Sequence, residues 1–222
     1  MHLPNGSQIF VEKAREAQAK EFTAISNAVT PELTFAADQT ANFRANDYVI
    51  ITESGWGKLV DRVARVKQVA QTKVTLEGVD TSDQNVFPAG SGRGKIVKIT
   101  EWTEIPCVQD LAQDGGEQQF YTYQCLSDDQ EQQLPTYKSA VSLTYTFAHE
   151  YDNAIYPVLR KADETGAVTA LRMYVPKAKE MRCWAGVLSF NEIPQTAVNE
   201  METVSLSVSL KGKFTFLSAT AN

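Results

Sequence analysis

The chain has 222 residues, a formal net charge of −6, and ordinary globular composition, with 43% apolar and 22% charged residues. That is enough for one large β domain or two small ones, with a core built from side chains alone. The acidic balance excludes a surface that grips nucleic acid through clustered Lys and Arg; it suits a surface that DNA slides past, where repulsion of phosphates is useful.

Cys107, Cys125 and Cys183 are an odd number at wide spacing, which is no disulfide framework. They read as small, buried apolar side chains in a protein made in a reducing compartment. Met1-His2-Leu3-Pro4-Asn5-Gly6 lacks a basic segment followed by an apolar core, so it is not a secretion signal. No run approaches the ~18 apolar residues that would anchor the chain in a membrane.

Many short alternating runs separated by Gly, Pro, Asp and Asn predict a mainly β fold. In chain order, Gln8-Ile9-Phe10-Val11 predicts a strand, and residues 12–20, rich in helix formers but without an apolar face, a loop or weak helical turn. Asp47 to Thr52 predicts a strand that breaks at Gly55-Trp56-Gly57. Valine at 60, 63, 66 and 69 favours a strand with a bulge. Lys73 to Leu76 and Lys95 to Trp102 predict two more strands, so residues 43–100 form either a small barrel-like subdomain or several strands of one sandwich. Gln119 to Leu126 reads as a strand between the loop at Asp114-Gly115-Gly116 and a polar hairpin-like stretch from Ser127 to Pro135.

Val141, Leu143, Tyr145 and Phe147 alternate with Ser142, Thr144 and Thr146, the pattern of a half-buried strand. Asp152 or Asn153 can cap a helix that carries Pro157 in its first turn, presents Ala154, Val158, Leu159 and Ala162 as a stripe, and stops at Gly166. Val168 to Val175 and Met181 to Phe190 predict strands. Last, Val204, Leu206, Val208, Leu210, Phe214 and Phe216 hold even positions while hydroxyls and lysines hold odd ones. That parity runs for roughly fourteen residues, or ~45 Å of strand, longer than ordinary. A ribbon this long makes most sense when it pairs beyond its own subunit.

Few groups are placed for chemistry. His149-Glu150-Tyr151-Asp152 lacks donors from a second element and reads as a polar turn before a helix. Gly90-Ser91-Gly92-Arg93-Gly94-Lys95 is similar to a phosphate-binding loop, yet Ala89 and Ile96 stand where that pattern needs Gly and a hydroxyl. With His2 terminal, one usable histidine makes a nucleophilic triad improbable. The acid pairs Asp128-Asp129 and Glu150/Asp152 read as solvated loops, and Trp56, Trp102 and Trp184 as core. No catalytic, cofactor or metal site is expected.

From Ile105 onward the sequence resembles the tail tube (major tail) proteins of long non-contractile-tailed bacteriophages. The resemblance rests on an ordered set: Ile105-Pro106-Cys107-Val108-Gln109-Asp110, Gly115 to Tyr123, the strand from Ser139 to Phe147, Ala162-Asp163-Glu164-Thr165-Gly166, Trp184 to Asn191, and the closing Ser-Leu-Ser-Val strand. Gly6-Ser7-Gln8-Ile9-Phe10 and Val74 to Asp80 are similar in style. The best match covers 105–217, within a single domain of 1–222.

The resemblance implies a β-sandwich or barrel-like tail tube fold with one packed helix. Homohexameric rings would stack into a tube around a large inter-subunit β-barrel, holding the tape-measure protein and later passing double-stranded DNA without binding it. It further implies a virion protein made in the host cytoplasm, capped by tail terminator and distal tail proteins. On that reading Ser205, Ser207 and Ser209 line the channel, because the opposite face is too apolar to meet water. Val141, Leu143, Tyr145, Val204, Leu206 and Val208 mark strands that pair between subunits, and Gly90, Ser91, Gly92 and Arg93 touch the neighbouring ring. The rivals are another virion part (a terminator or capsid decoration protein), a carbohydrate-binding β-sandwich using exposed tryptophans, and a glycosidase using paired acids.

Overall fold

The computed structural model describes residues 5–219. The segment read as lacking a secretion signal therefore lies, up to Pro4 and including His2, outside the described residues. The strands in chain order are β1 (Gln8–Arg15), β2 (Lys20–Ile25), β3 (Glu32–Phe35), β4 (Tyr48–Ser54), β5 (Arg62–Val69), β6 (Lys73–Glu77), β7 (Gly94–Ile105) and β8 (Val108–Gly115). There follow β9 (Gln118–Tyr123), β10 (Gln132–Lys138), β11 (Val141–Ala148), the helix α1 (Tyr156–Thr165), β12 (Val168–Val175), β13 (Glu180–Gln195), β14 (Thr203–Leu210) and β15 (Thr215–Ser218).

The strands β2-β3-β6-β5-β4-β7 pair in that order, and β7 returns to β2, so they close a six-stranded barrel. Its interior is filled by Phe22, Leu33, Phe35, Val49, Ile51, Leu59, Val66 and Leu76. The valine-rich segment is the bulged strand its spacing predicts, with the register shift between Val66 and Gln68. β7 is long enough to leave the barrel and pair with β1, which continues through β12 to β13.

β13 joins two layers. Its first half pairs with β12 and β15, its second with β14. At the crossing a side chain on Gly186 would place Cβ 2.5 Å from the Ser209 carbonyl oxygen, so glycine is required there. Beyond β13 the sheet runs β14-β11-β8, all antiparallel. Leu143, Tyr145, Phe147, Val204, Leu206 and Val208 from this outer sheet meet Ile9, Val11, Leu171, Trp184 and the helix residues Ile155, Tyr156 and Leu159 in one core.

The helix ends where the sequence predicts but starts later: Ile155 is its N-cap and no side chain caps it, Asn153 lying in the preceding turn. Asn153 Oδ1 accepts from the Ile155 N–H at 3.1 Å, Pro157 sits in the first turn, and Gly166 ends the helix with φ +57°. Its buried stripe is Tyr156, Leu159 and Ala162, whereas Ala154 is exposed. A third cluster, including Ile50, Val63, Ile99, Ala170, Cys183, Ala185 and Leu217, welds barrel to sheet. Beside it the Arg172 guanidinium lies 4.7–5.1 Å from the rings of Phe10, Tyr48 and Trp102, a cation held by aromatic faces from three strands.

The structure corrects several expectations. Residues 12–15 continue β1, because β7 pairs with them beyond the point where β12 ends. Glu12 is buried with its carboxylate accepting from the Ala170 N–H at 2.9 Å and from Arg15. Tertiary pairing outweighs the helix propensity of these residues. Pro135, expected in a polar stretch, lies within β10. Cys107 and Cys125 are exposed; only Cys183 is buried, and burial pushes its thiol pKa up to about 12.

The long C-terminal run is two strands. It breaks after Leu210, and Gly212 packs so closely on the Asp61 backbone that a Cβ would lie 2.2 Å from the Asp61 oxygen. After the break the parity inverts: Thr215 and Leu217 are buried and Phe216 is exposed, because β15 turns to pair with the other half of β13 beside the barrel.

Among the described residues four buried side-chain polar atoms have no hydrogen-bond partner; two of them, Tyr145 Oη and Trp184 Nε1, lie on rings stacked at 6.5 Å. An orphaned buried hydroxyl carries a desolvation cost with no return. Tyr145→Phe is therefore expected to raise stability by about 1 kcal/mol in urea unfolding. A loss of that size instead would reveal a partner for the hydroxyl in solution.

Candidate functional site: the outer sheet and its open edges

The sheet β8-β11-β14-β13 has one face on the core and one on solvent. Register places Asp110, Ala112 and Asp114 of β8 beside Thr146, Thr144 and Ser142 of β11. Those three sit beside Ser205, Ser207 and Ser209 of β14, and these in turn beside Asn191, Ser189 and Val187 of β13. Cross-strand partners in an antiparallel sheet project to the same side, and Thr144 Oγ1 lies 3.4 Å from Ser207 Oγ. The solvent face is thus a field of small hydroxyls with two carboxylates and no Lys or Arg in these registered rows. Ser205, Ser207 and Ser209 stand in its middle; Asp110 and Asp114 were not singled out from the sequence.

Those aspartates belong to an element that was legible only in part. β8 was read as a family motif followed by a loop. It is an edge strand with one neighbour, so it has little to bury and little apolar alternation to betray it. Glycines at 115 and 116, both with positive φ, then let the ribbon continue outward as the β9–β10 arm instead of ending.

The strands expected to pair between subunits are interior. β11, with Val141, Leu143 and Tyr145, is hydrogen-bonded to β8 and β14; β14, with Val204, Leu206 and Val208, to β11 and β13. Leu143, Tyr145, Val204, Leu206 and Val208 are buried in the chain's own core, and Val141 is half-buried. The alternation that marked these strands is the signature of that core. The open edges lie outside them. Among the described residues nothing pairs with the far side of β8, nor with β13 beyond Val187 on the side away from β14. The two edges bound the four-stranded sheet on opposite sides, and β8 and β13 run antiparallel.

The glycine loop lies elsewhere, on the barrel. Ser91 Oγ accepts from Trp56 Nε1 at 3.0 Å, and Gly92 packs against Ile25 and Trp56. Among the described residues the β9–β10 arm pairs with itself alone, and it exposes Phe120, Tyr121, Leu134 and Tyr137. Tyr121 and Tyr123 stack on one face, and Phe120 pairs with Pro135 on the other.

The turn at His149 is structural: Nδ1 lies 2.7 Å from Tyr156 Oη, and Glu150 accepts from Asn153. No group of three or more His, Cys, Asp or Glu residues is placed to hold a metal among the described residues. A sugar-stacking platform lacks its tryptophans, since Trp56 and Trp184 are buried and Trp102 lies against Arg172. No helix among the described residues is long and apolar enough to cross a membrane.

The model of the phage tail tube protein family matches residues 54–219, three quarters of the chain. The chain belongs to the phage tail tube protein family. The match takes in the whole outer sheet, the arm and three of the six barrel strands, β5, β6 and β7, which makes this a structural protein of the bacteriophage tail tube. No curated protein matches the sequence. Among solved structures, the "Cryo-EM structure of the anti-feeding prophage (AFP) baseplate, 6-fold symmetrised" is similar at 8% identity and a TM-score of 0.37, over 55% of this chain and 88% of the other. That likeness is too slight to carry an argument. The tail tube protein thus has a mainly β fold with one helix and a closed barrel beside its outer sheet.

Proposed function

We propose that this tail tube protein assembles head to tail through the open edges of its outer sheet, β8 of one copy pairing with the second half of β13 of the next. The observation that carries the reading is the pair of free, mutually antiparallel edges flanking a mostly polar solvent face. An interface between two different patches of the same chain closes into a ring when its rotation permits. With an even number of strands per copy, every junction is antiparallel like the pairs within the subunit.

Six copies, the number the resemblance implies, give about 24 strands; at ~4.8 Å spacing and ~40° tilt the backbone diameter is about 48 Å. That leaves room inside for a double helix once side chains are added. The polar face then lines the channel, where hydroxyls stay hydrated and Asp110 and Asp114 repel phosphates, so DNA passes without sticking. During assembly the channel holds the tape-measure protein, and terminator and distal tail proteins close the ends. Stacking falls to the arm, whose exposed aromatics reach beyond the sheet. On this reading the protein is made in the host cytoplasm and works without catalysis.

Negative-stain imaging of the purified protein, followed by symmetry averaging of end-on views, tests the proposal. Six-fold rings or tubes with an open centre are expected. A protein that stays monomeric at concentrations of ~100 μM, far above an ordinary micromolar interface, overturns it.

A further inference from the structure

Beside the open edge of β8 the two layers splay apart and leave a groove of about 520 Å³. Its walls include Ile9, Val108, Leu111 and Met173, with Arg182 at the rim. Of its apolar residues Ile9 and Met173 are buried, Val108 is half-buried and Leu111 is exposed. Arg182 binds Glu180 through Nη2 at 3.0 Å, but its buried Nε has no partner. Asn5, Gly6, Ser7, Gln109 and the Asp110 carboxylate complete the lining, so the groove has an apolar part beside polar walls and carries both a cation and an anion.

The complementary shape lies on the opposite edge. β13 leaves the sheet at Gln195 and returns as β14 at Thr203. Between them the Glu200 N–H bonds to the Ala197 carbonyl, and Asn199 takes φ +64°, which makes a tight turn with Val198 at its tip. Val198 is 89% exposed, and Met201 is also exposed. Glu200 lies two residues after Val198. An unsupported valine at a turn tip two residues from a carboxylate matches the apolar part of the groove and the Arg182 at its rim.

The level also agrees. Within the sheet, Val108 aligns with Phe147, Phe147 with Val204, and Thr203 with Gln195, so the start of β8 and the end of β13 lie at the same end of the strands. Pairing β8 with the β13 of another copy brings that copy's turn to the mouth of the groove.

We propose that the groove beside β8 receives the β13–β14 turn of a second copy, with Val198 seated among Ile9, Val108, Leu111 and Met173 and Glu200 meeting Arg182. The inference rests on the head-to-tail ring reading and supplies its lock. Backbone pairing alone tolerates register slips, and a knob seated in a socket removes them. Register would then be set by one side chain per junction.

Val198→Asp tests the lock without endangering the fold, because the side chain leaves no core behind. An unpaired carboxylate forced into an apolar socket is expected to raise the concentration needed for ring formation by more than about tenfold. Val198→Leu and, on the barrel surface, Val29→Asp are expected to assemble as wild type. With Cys107 and Cys125 replaced by Ser, the double variant Leu111→Cys/Val198→Cys is expected to give a covalent ladder with a short bis-maleimide, and neither single variant does. If wild type forms rings and Val198→Asp forms them equally well, or the double variant gives no ladder, the lock is overturned while the ring reading stands. If wild type forms no rings, both fall.

Discussion

Replacing residues 116–140 with a two-residue Asn-Gly turn is expected to leave the subunit folded and to abolish tube growth. The arm contributes nothing to the core: β9 and β10 pair only with each other, and Phe120, Tyr121, Leu134 and Tyr137 are all exposed. The cut falls where Gly115 pairs with Val141, so the shortened hairpin keeps β8 and β11 in register. Removing exposed groups is expected to move the melting temperature by no more than about 3 °C. The assembly effect is large for the opposite reason. A two-stranded ribbon in water is marginal by itself, and this one carries apolar groups on both faces, so it has surface to bury only against other copies. Each aromatic so buried is worth about 1.5–3 kcal/mol per subunit. Single rings without tubes are expected in electron micrographs of the shortened protein. Tubes of ordinary length would remove the arm from the stacking interface.

Asp110→Lys/Asp114→Lys is expected to turn a tube that ignores DNA into one that holds it. Both side chains project from the edge strand onto the hydroxyl face. The change is +4 per subunit, or about 24 charges around a ring of six, and phosphate affinity rises with each neutralised contact while becoming steeply salt-dependent. Incubated with short fluorescent duplexes, variant tubes should retain DNA at 50 mM salt and release most of it by ~500 mM; wild-type tubes should retain none. Because Asp110 and Asp114 are exposed, rings are expected to form in both cases. Equal, negligible retention by wild type and variant would place this face away from the channel.

Period-two alternation made the outer sheet readable, since burying one face of a strand leaves that mark whatever lies opposite. It marked β11 and β14 together with the polar faces of Ser142, Thr144 and Thr146 and of Ser205, Ser207 and Ser209. It also drew the expected inter-subunit pairing to β11 and β14, whose edges are taken within the chain. Strands that alternate most clearly are those best covered by their own chain, so Leu143, Tyr145, Leu206 and Val208 point inward to the core. The edges that are free to pair, β8 and the end of β13, carry mixed residues and leave a weaker trace.

The sequence by itself determined the β class, the helix between Asn153 and Gly166, the bulged valine strand, and a face of hydroxyls opposed to a face of aliphatics, because each is written in local spacing. Only the tertiary structure decided that residues 12–15 extend a strand, that the C-terminal run breaks at Gly212 and reverses its parity, and which strand edges remain open. Each of those outcomes depends on what lies across the gap: the Ala170 amide for Glu12, the Asp61 backbone for Gly212, and the empty flank of β8. Such contacts join residues far apart in the chain, and no periodicity records them.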